Sequence, residues 1–321
     1  MKKTLFINAD RSKPHCAVFQ AGKIYADAMK LCKELDLTYV EVGDGDSAPD
    51  IEGYEVVIFN YQHVTSQIIP PAFFSYCPIA IGFLYEARQE PAASPLHFGD
   101  LLAGQVFDVL ISPDPTLQST SKVWGLPRVI KRHQASNGVR YDSEVWVSTF
   151  GFPSPWKAND EVVRMMNDEF EDAVFRINIA PASHQEGTGL QDMTIQFAND
   201  LVMIAKPGIK IRFTQHYMED EDLVSWLAQS DVNVFLSRPE RGVETGGALL
   251  ASADMAISAQ RPLLVSNNIE ARHLSLYACA KTLREAMDPN PLMIAPVDFL
   301  YGLWSPENFA ARMDGAIREY L

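Results

Sequence analysis

Cysteine is scarce in this chain. The four residues, Cys16, Cys32, Cys77 and Cys279, lie far apart and form no Cys-x-x-Cys pair, which disfavours a structural zinc site and a disulfide scaffold alike. Reduced, mostly buried thiols in a cytoplasmic protein are the expectation. Long apolar runs are also missing, and no stretch of about 18 apolar residues is present to span a membrane as a helix. Met1-Lys2-Lys3 has the charge of a leader's first segment, but the run Leu5-Phe6-Ile7 breaks at Asn8-Ala9-Asp10, too early for a leader's apolar core. Positive charge is short as well, since 27 Lys and Arg against 41 Asp and Glu leave a formal net charge of −14. A broad nucleic-acid surface needs clustered Lys and Arg, so nucleic acid is not an expected partner, although a local basic pocket is not excluded.

The sequence has the composition of a folded soluble protein, with 47% hydrophobic and 21% charged residues. Its 321 residues suffice for two domains of ordinary size. The most legible stretch runs from 211 to 273. A strand tip at Ile211–Gln215 ends at His216, followed by the acidic cluster from Glu219 to Asp222 and a helical segment with Leu223, Val224, Trp226 and Leu227 on one face. A strand from Val232 to Leu236 leads into the polar, Gly-bearing loop Ser237–Gly247. An Ala-rich helix from Ala248 to Ala259 and a strand from Leu263 to Ser266 complete a βαβ unit. Open α/β sheets bind ligands at the strands' carboxyl ends, where helix amino termini and glycines admit a phosphate.

The rest of the chain repeats this grammar. Strands are expected at 4–7, 38–42, 56–61, 79–84, 145–150 and 173–179. Their nearly continuous apolar runs imply parallel sheets covered on both faces. Helical spacing from Cys16 through Val18, Ala21, Ile24, Tyr25, Ala28, Leu31, Cys32 and Leu35 predicts a first helix reaching about Asp36. Further helices are expected with Val162, Val163, Met165, Met166 and Phe170 on a buried face, and from Gln191 to Ile204. Ser305-Pro306-Glu307 is an N-cap and first-turn signature for a final helix. The polar stretch 131–142, with Asn137-Gly138, reads as a domain linker.

The order of these pieces resembles GT-B glycosyltransferases, in particular a bacterial family 1/4-like group associated with polysaccharides. The residues that carry the resemblance are the strand ending at His216, the segments 227–236 and 253–263, Arg272-His273, and in the first half Cys16–Lys23, Phe59–His63, Ser112–Thr116 and Leu126–Arg128. The resemblance implies two Rossmann-like domains facing across a cleft, at 1–135 and 136–304, with residues 305–321 crossing back to the first. It implies transfer of a sugar from a nucleotide-diphosphate-sugar to an unidentified acceptor. The nucleotide sugar is then substrate, with no resident cofactor and no metal. Donor-binding residues implied are Lys157, set at a strand-to-helix turn over the diphosphate, with His216, Ser237, Arg241, Glu244, Gly246, Gly247 and Arg272. Asp254, Glu240 and Glu86 are the candidate catalytic acids, although their spacing departs from the family's usual step. Gln20, Gly22 and Lys23 are the acceptor-side candidates.

The same residues have plainer readings. Lys157 is otherwise a surface lysine, Gly246-Gly247 a tight turn, and His216 a structural histidine. Asp254, within an alanine-rich helix, should be either solvent-facing or functional, because a buried acid without a partner is destabilising. Asp44-Gly45-Asp46 has the letters of a metal-binding DxD but falls in the first domain's acidic loop, away from the expected donor site. Relatives carry His-Glu where this chain has Tyr85-Glu86, and a tyrosine is not a neutral base near pH 7. That departure keeps open a catalytically weak binding or assembly protein. A nucleotide-sugar epimerase is the other alternative, and a DNA-base acceptor is disfavoured by the charge.

Overall fold

The computed structural model describes residues 1–12, 16–61, 65–85, 106–133, 143–151, 157–179, 190–238, 251–274, 277–278, 280–288 and 296–321. These residues divide into two compact units. Met1–Ile130 and Gly302–Leu321 form unit 1, and the remainder form unit 2.

Unit 1 is built on six parallel strands: β1 (Lys2–Ala9), β2 (Leu35–Val42), β3 (Val56–Asn60), β4 (Ala80–Phe83), β5 (Val109–Ser112) and β6 (Val123–Gly125), in the order β2-β1-β3-β4-β5-β6. β1 and β3 are buried along almost their whole length, as their apolar runs require of a sheet covered on both sides. β5 and β6 were not foreseen. With four and three residues each, they are too short to show a period in the sequence. One face of the sheet packs against α1 (Ala17–Met29) and against the final helix of the chain, Pro306–Tyr320, through Phe6, Tyr25, Met29, Phe309, Met313 and Ile317.

The first helix is shorter than its spacing predicts. It stops at Met29, the N–H groups of Leu31 and Cys32 turn back onto the carbonyls of Ala28 and Met29, and Leu31 is exposed. The next two N–H groups, of Lys33 and Glu34, are taken by the buried carboxylate of Asp314 at 2.9 and 3.0 Å. Leu35 then joins the sheet opposite Lys2 and opens β2, three residues before the expected start.

Unit 2 has five parallel strands: β7 (Val145–Phe150), β8 (Ala173–Asn178), β9 (Ile209–Thr214), β10 (Val232–Phe235) and β11 (Leu263–Val265), in the order β11-β10-β7-β8-β9. Its helices are α2 (Asn159–Glu169), α3 (Leu190–Ile204), α4 (Asp220–Ala228), α5 (Ala251–Ser258), α6 (Leu283–Met287) and α7 (Pro296–Leu303); the helix of unit 1 at Pro306–Tyr320 is α8. The core joins Val147, Phe175, Val232 and Val234 of the sheet to Val162, Val163 and Met166 of α2. In both sheets the strand order reverses beside the first strand, between β1 and β3 and between β7 and β10. In an open α/β sheet the carboxyl ends at such a reversal are the natural ligand crevice.

Candidate functional site

In unit 2 the reversal point is occupied by Lys157. β7 ends at Phe150, and Gly151 follows with φ +126°, a conformation that glycine alone adopts readily. The Lys157 ammonium returns to this turn and donates to the Phe150 carbonyl at 3.4 Å. It sits so close over Gly151 that a Cβ there would lie 1.8 Å from Nζ. Ala158 heads α2 in the left-handed region with φ +47° and is fully buried, a strained arrangement that fixes the direction of its neighbour. Burial lowers the Lys157 pKa from 10.5 to about 8. Among the described residues no carboxylate pairs with it, whereas Arg238 at the end of β10 is bound by Asp160 at 2.8 Å and Glu161 at 2.6 Å. Burial would raise Asp160, but the hydrogen bonds from Arg238 and Arg164 outweigh it and hold that carboxyl below its ordinary value.

Ser237, at the carboxyl end of β10, is locked beside this turn. Its N–H donates to Ser266 Oγ at 2.6 Å, and the Asn268 amide donates to its hydroxyl oxygen at 2.8 Å and its carbonyl at 3.0 Å. The rings of Phe150 and Phe235 meet edge to face, 5.3 Å between centroids, which ties the two strand ends together.

β9 lies two strands from β7, about 9.5 Å away at ordinary strand spacing. Beyond its end, His216 is exposed and borders a cavity of about 360 Å³ together with Tyr217, Asp222, Trp226 and Gln229. With its amide nitrogen turned toward them, Asn178 donates to the carbonyls of Thr214 and His216 at 3.1 and 3.2 Å and so holds the rim. The cavity wall is stiffened from behind. The Arg176 guanidinium is stacked between Trp146 and Trp226, 4.6 and 4.2 Å from their centroids, and donates to the Trp226 carbonyl at 3.1 Å.

Asp254 is not fully solvent-facing. It is half-buried in α5 and has a partner, the fully buried side chain of His273, with Oδ1 and Nε2 3.2 Å apart. Arg272, on the same short turn Ile269–Leu274, is half-buried. Glu86, Glu240, Arg241, Glu244, Gly246 and Gly247 lie outside the described residues.

In unit 1 the acceptor-side candidates separate. Gln20 is exposed on α1. Lys23 pairs with Glu41 at 3.3 Å and lies 4.7 Å from the Phe19 ring centroid. Gly22 is buried against the sheet, where a Cβ would fall 2.3 Å from Asn8 Oδ1 and 2.4 Å from Asn60 Nδ2. Its smallness admits two buried asparagines. Asn60 Nδ2 donates to the Val18 carbonyl at 2.9 Å and to Asn8 Oδ1 at 2.7 Å, and Asn8 Nδ2 donates to the Phe19 carbonyl and the Tyr39 hydroxyl, both at 2.9 Å. Tyr39 in turn donates to Glu41 at 2.9 Å. Tyr85 donates to Asn60 Oδ1 at 3.1 Å, and burial drives its pKa well above the ordinary value. The DxD letters form a surface turn: Gly45 has φ +82°, and Asp46 caps the Gly43 N–H and pairs with Arg11.

No family model and no curated protein matches this sequence. Solved structures do. HepE (Alr3699) of Anabaena, in complex with UDP and glucose, superposes with a TM-score of 0.59 at 12% identity over 99% of each chain. The UDP-forming α,α-trehalose-phosphate synthase of Burkholderia xenovorans, in complex with glucose-6-phosphate, gives 0.55 at 14% identity, covering 83% of this chain and 72% of its own. The fold is GT-B. At these identities the likeness concerns the GT-B fold alone, and the same fold forms the N-terminal domain of trehalose-6-phosphate phosphatase from Candida albicans, with a TM-score of 0.62 at 10% identity over 100% of this chain and 97% of that one.

Within this GT-B frame the sequence reading missed the roles of Asn8, Asn60 and Asn178. The signal was present: β1 and β3 run through apolar residues to an asparagine, as Leu-Phe-Ile-Asn and Val-Ile-Phe-Asn, and β8 reaches one through Phe-Arg-Ile-Asn. A buried amide at a strand's carboxyl end must find partners in the adjoining loops, which makes it a clamp on the crevice.

Proposed function

We propose that this protein is a glycosyltransferase using a nucleoside-diphosphate sugar, with the donor on unit 2. The observation that carries the proposal is the Lys157 ammonium, half-buried at the carboxyl end of β7 with a carbonyl and no carboxylate as its partner among the described residues. A desolvated cation at that point favours a bound diphosphate. The cavity beside His216 and Trp226, beyond the end of β9 in the same sheet, is then assigned to the nucleoside. The Anabaena protein's complex with UDP and glucose supports uridine as the first base to test.

In the reaction, an acceptor hydroxyl oxygen forms the new bond to the sugar's anomeric carbon as the bond to the diphosphate oxygen breaks. The diphosphate leaves with the electron pair, and the hydroxyl proton passes to a base. Lys157 and backbone amides offset the charge growing on the departing oxygens, so the greatest stabilisation arises in the transition state. Asp254, with the donor-side residues Ser237 and Arg272, would orient the sugar, while His216 borders the nucleoside. Titration of UDP into the protein by calorimetry tests the donor site. Lys157→Met should weaken UDP by about 1.5 to 3 kcal/mol, the loss of a charge-assisted bond, and absence of UDP binding by the wild type discards the assignment. With lysine rather than a metal ion opposite the diphosphate, transfer should persist in excess EDTA.

One observation favours a second reading, a donor-binding protein with little turnover. Tyr85 stands where the resemblance calls for histidine, and its hydroxyl is committed to Asn60. UDP binding without any donor hydrolysis on prolonged incubation would select that reading.

A further inference from the structure

One wall of the cavity in unit 2 is a single face of α4 and its C-cap, carrying Asp222, Ser225, Trp226 and Gln229 at helical spacing. A cation on the neighbouring strand sets that face. Arg176 projects from β8 and is buried between the rings of Trp146 and Trp226. Besides the Trp226 carbonyl it donates to Ser230 Oγ at 3.2 Å and to Gln229 Oε1 at 3.3 Å. The carbonyls in a helix's last turn lack partners within the helix, so a guanidinium there secures its end. Arg261 secures the same end through the Ala228 carbonyl, at 2.6 Å.

The contact with Gln229 carries a hydrogen-bonding sign. A guanidinium has hydrogens to give and no acceptor, so the oxygen of the Gln229 amide must be the end that faces it. The amide nitrogen, with two hydrogens, is directed away from Arg176, and Gln229 borders the cavity as a donor. Trp226 carries the guanidinium against one face, and an aromatic side chain in a cavity wall is a stacking surface for a base. Asp222, two turns earlier on the same face and about 10 Å away along the axis, is an acceptor suited to ribose hydroxyls. Uracil and cytosine differ at C4, where one has a carbonyl oxygen and the other an amino group. A donor at the end of the wall suits the first and meets a second donor in the other.

We propose that Arg176 is a positioning residue that sets the base preference of this cavity: it holds Trp226 as the stacking surface and fixes Gln229 as a hydrogen-bond donor, so that a uracil nucleotide is accepted and a cytosine nucleotide opposed. The proposal rests on the assignment of this cavity to the nucleoside and adds to it the means by which the base is chosen.

Titration calorimetry on the full chain with UDP, CDP, uridine and cytidine tests it, with melting temperatures taken on the same samples. The wild type should bind UDP at least about tenfold more tightly than CDP, the effect of one hydrogen bond gained and one donor left unpaired. Arg176→Met lets the amide turn over, so the preference should be lost. Arg261→Met removes a bond from the same helix end and should lower the melting temperature while leaving the preference as it was. Gln229→Glu puts an acceptor in place of the donor and gives Arg176 an ion pair. Its melting temperature should therefore hold while the preference reverses toward CDP, which reads the same point on a helix end left intact. Equal affinity for UDP and CDP in the wild type, a preference undiminished in Arg176→Met, a preference for UDP kept by Gln229→Glu, or an equal loss of preference in Arg261→Met would each overturn the proposal. The nucleosides keep it apart from the donor assignment. Discrimination between uridine and cytidine with no gain from the diphosphate removes the Lys157 site and keeps this one. UDP and CDP bound alike keep the Lys157 site and remove this one, and a chain that binds none of the four loses both.

Discussion

Lys157 is a residue whose surroundings set its proton affinity close to working pH. Free, it titrates near 8, and a diphosphate beside it would favour the charged form and raise that value. UDP binding should therefore take up a proton at pH 8 and weaken as pH rises further, while Lys157→Met should remove the uptake. Calorimetry in buffers of different ionisation enthalpy reads this directly. The stability linkage has the opposite slope. In the unfolded chain the amine keeps its ordinary 10.5, so between about 8 and 10.5 the unfolded state binds more protons, and this residue's contribution to stability rises with pH across that window. Gly151→Ala should act on the same atom. It strains a φ of +126° and pushes a methyl to 1.8 Å from Nζ, so a stability loss of about 1 to 3 kcal/mol together with weaker UDP binding is expected from melting and titration. Position 157 was singled out through the resemblance, at a strand-to-helix turn, whereas the residues alone read as a surface lysine. Its desolvation was not legible, because it depends on what the fold packs around the ammonium. The partner of Asp254 was illegible for a similar reason: His273 is 19 residues away, and no local pattern links them.

Among the elements, β1, β3, β7, β8 and β9 could be read because their apolar runs have few other uses. α1 could not be bounded, since Leu31, Cys32 and Leu35 keep helical spacing through a segment that turns and enters a strand. What ends the helix is remote: Asp314 on α8 takes the N–H groups of Lys33 and Glu34. Burial, and secondarily this carboxylate, push the Cys32 thiol up to about 12. Asp314→Ala should therefore lower stability by about 1.5 to 3 kcal/mol, the range for bonds to a charged group, measured by urea unfolding. It should also free Cys32 to react faster with thiol reagents, because the turn that covers it loses its tether. β5 and β6 escaped notice through brevity, and the candidate loop at 239–247 falls outside the described residues, so its acids stand as the sequence left them.

For the molecule as a whole, two sheets of related order follow from repeated β-to-helix alternation, and the resemblance to GT-B proteins anticipated them. The strand order itself was not written in any local signal, since it depends on which side of the first strand each crossover takes. α8 supplies Phe309, Met313 and Ile317 to the core of unit 1. Deletion of 305–321 should consequently expose unit 1 to limited proteolysis while unit 2 resists, a pattern that mass spectrometry of the fragments would show.

That same helix gives the chain an inverted timetable. Synthesis usually lets the amino-terminal body settle first, yet here the strip that covers Tyr25 and Met29 is more than 270 residues further along, since Phe309 follows Met29 by 280 positions. Every residue of unit 2 has been added to the chain before that strip exists. The portion of the protein made first is therefore the last to close, and through most of translation it must keep an uncovered greasy flank away from its neighbours.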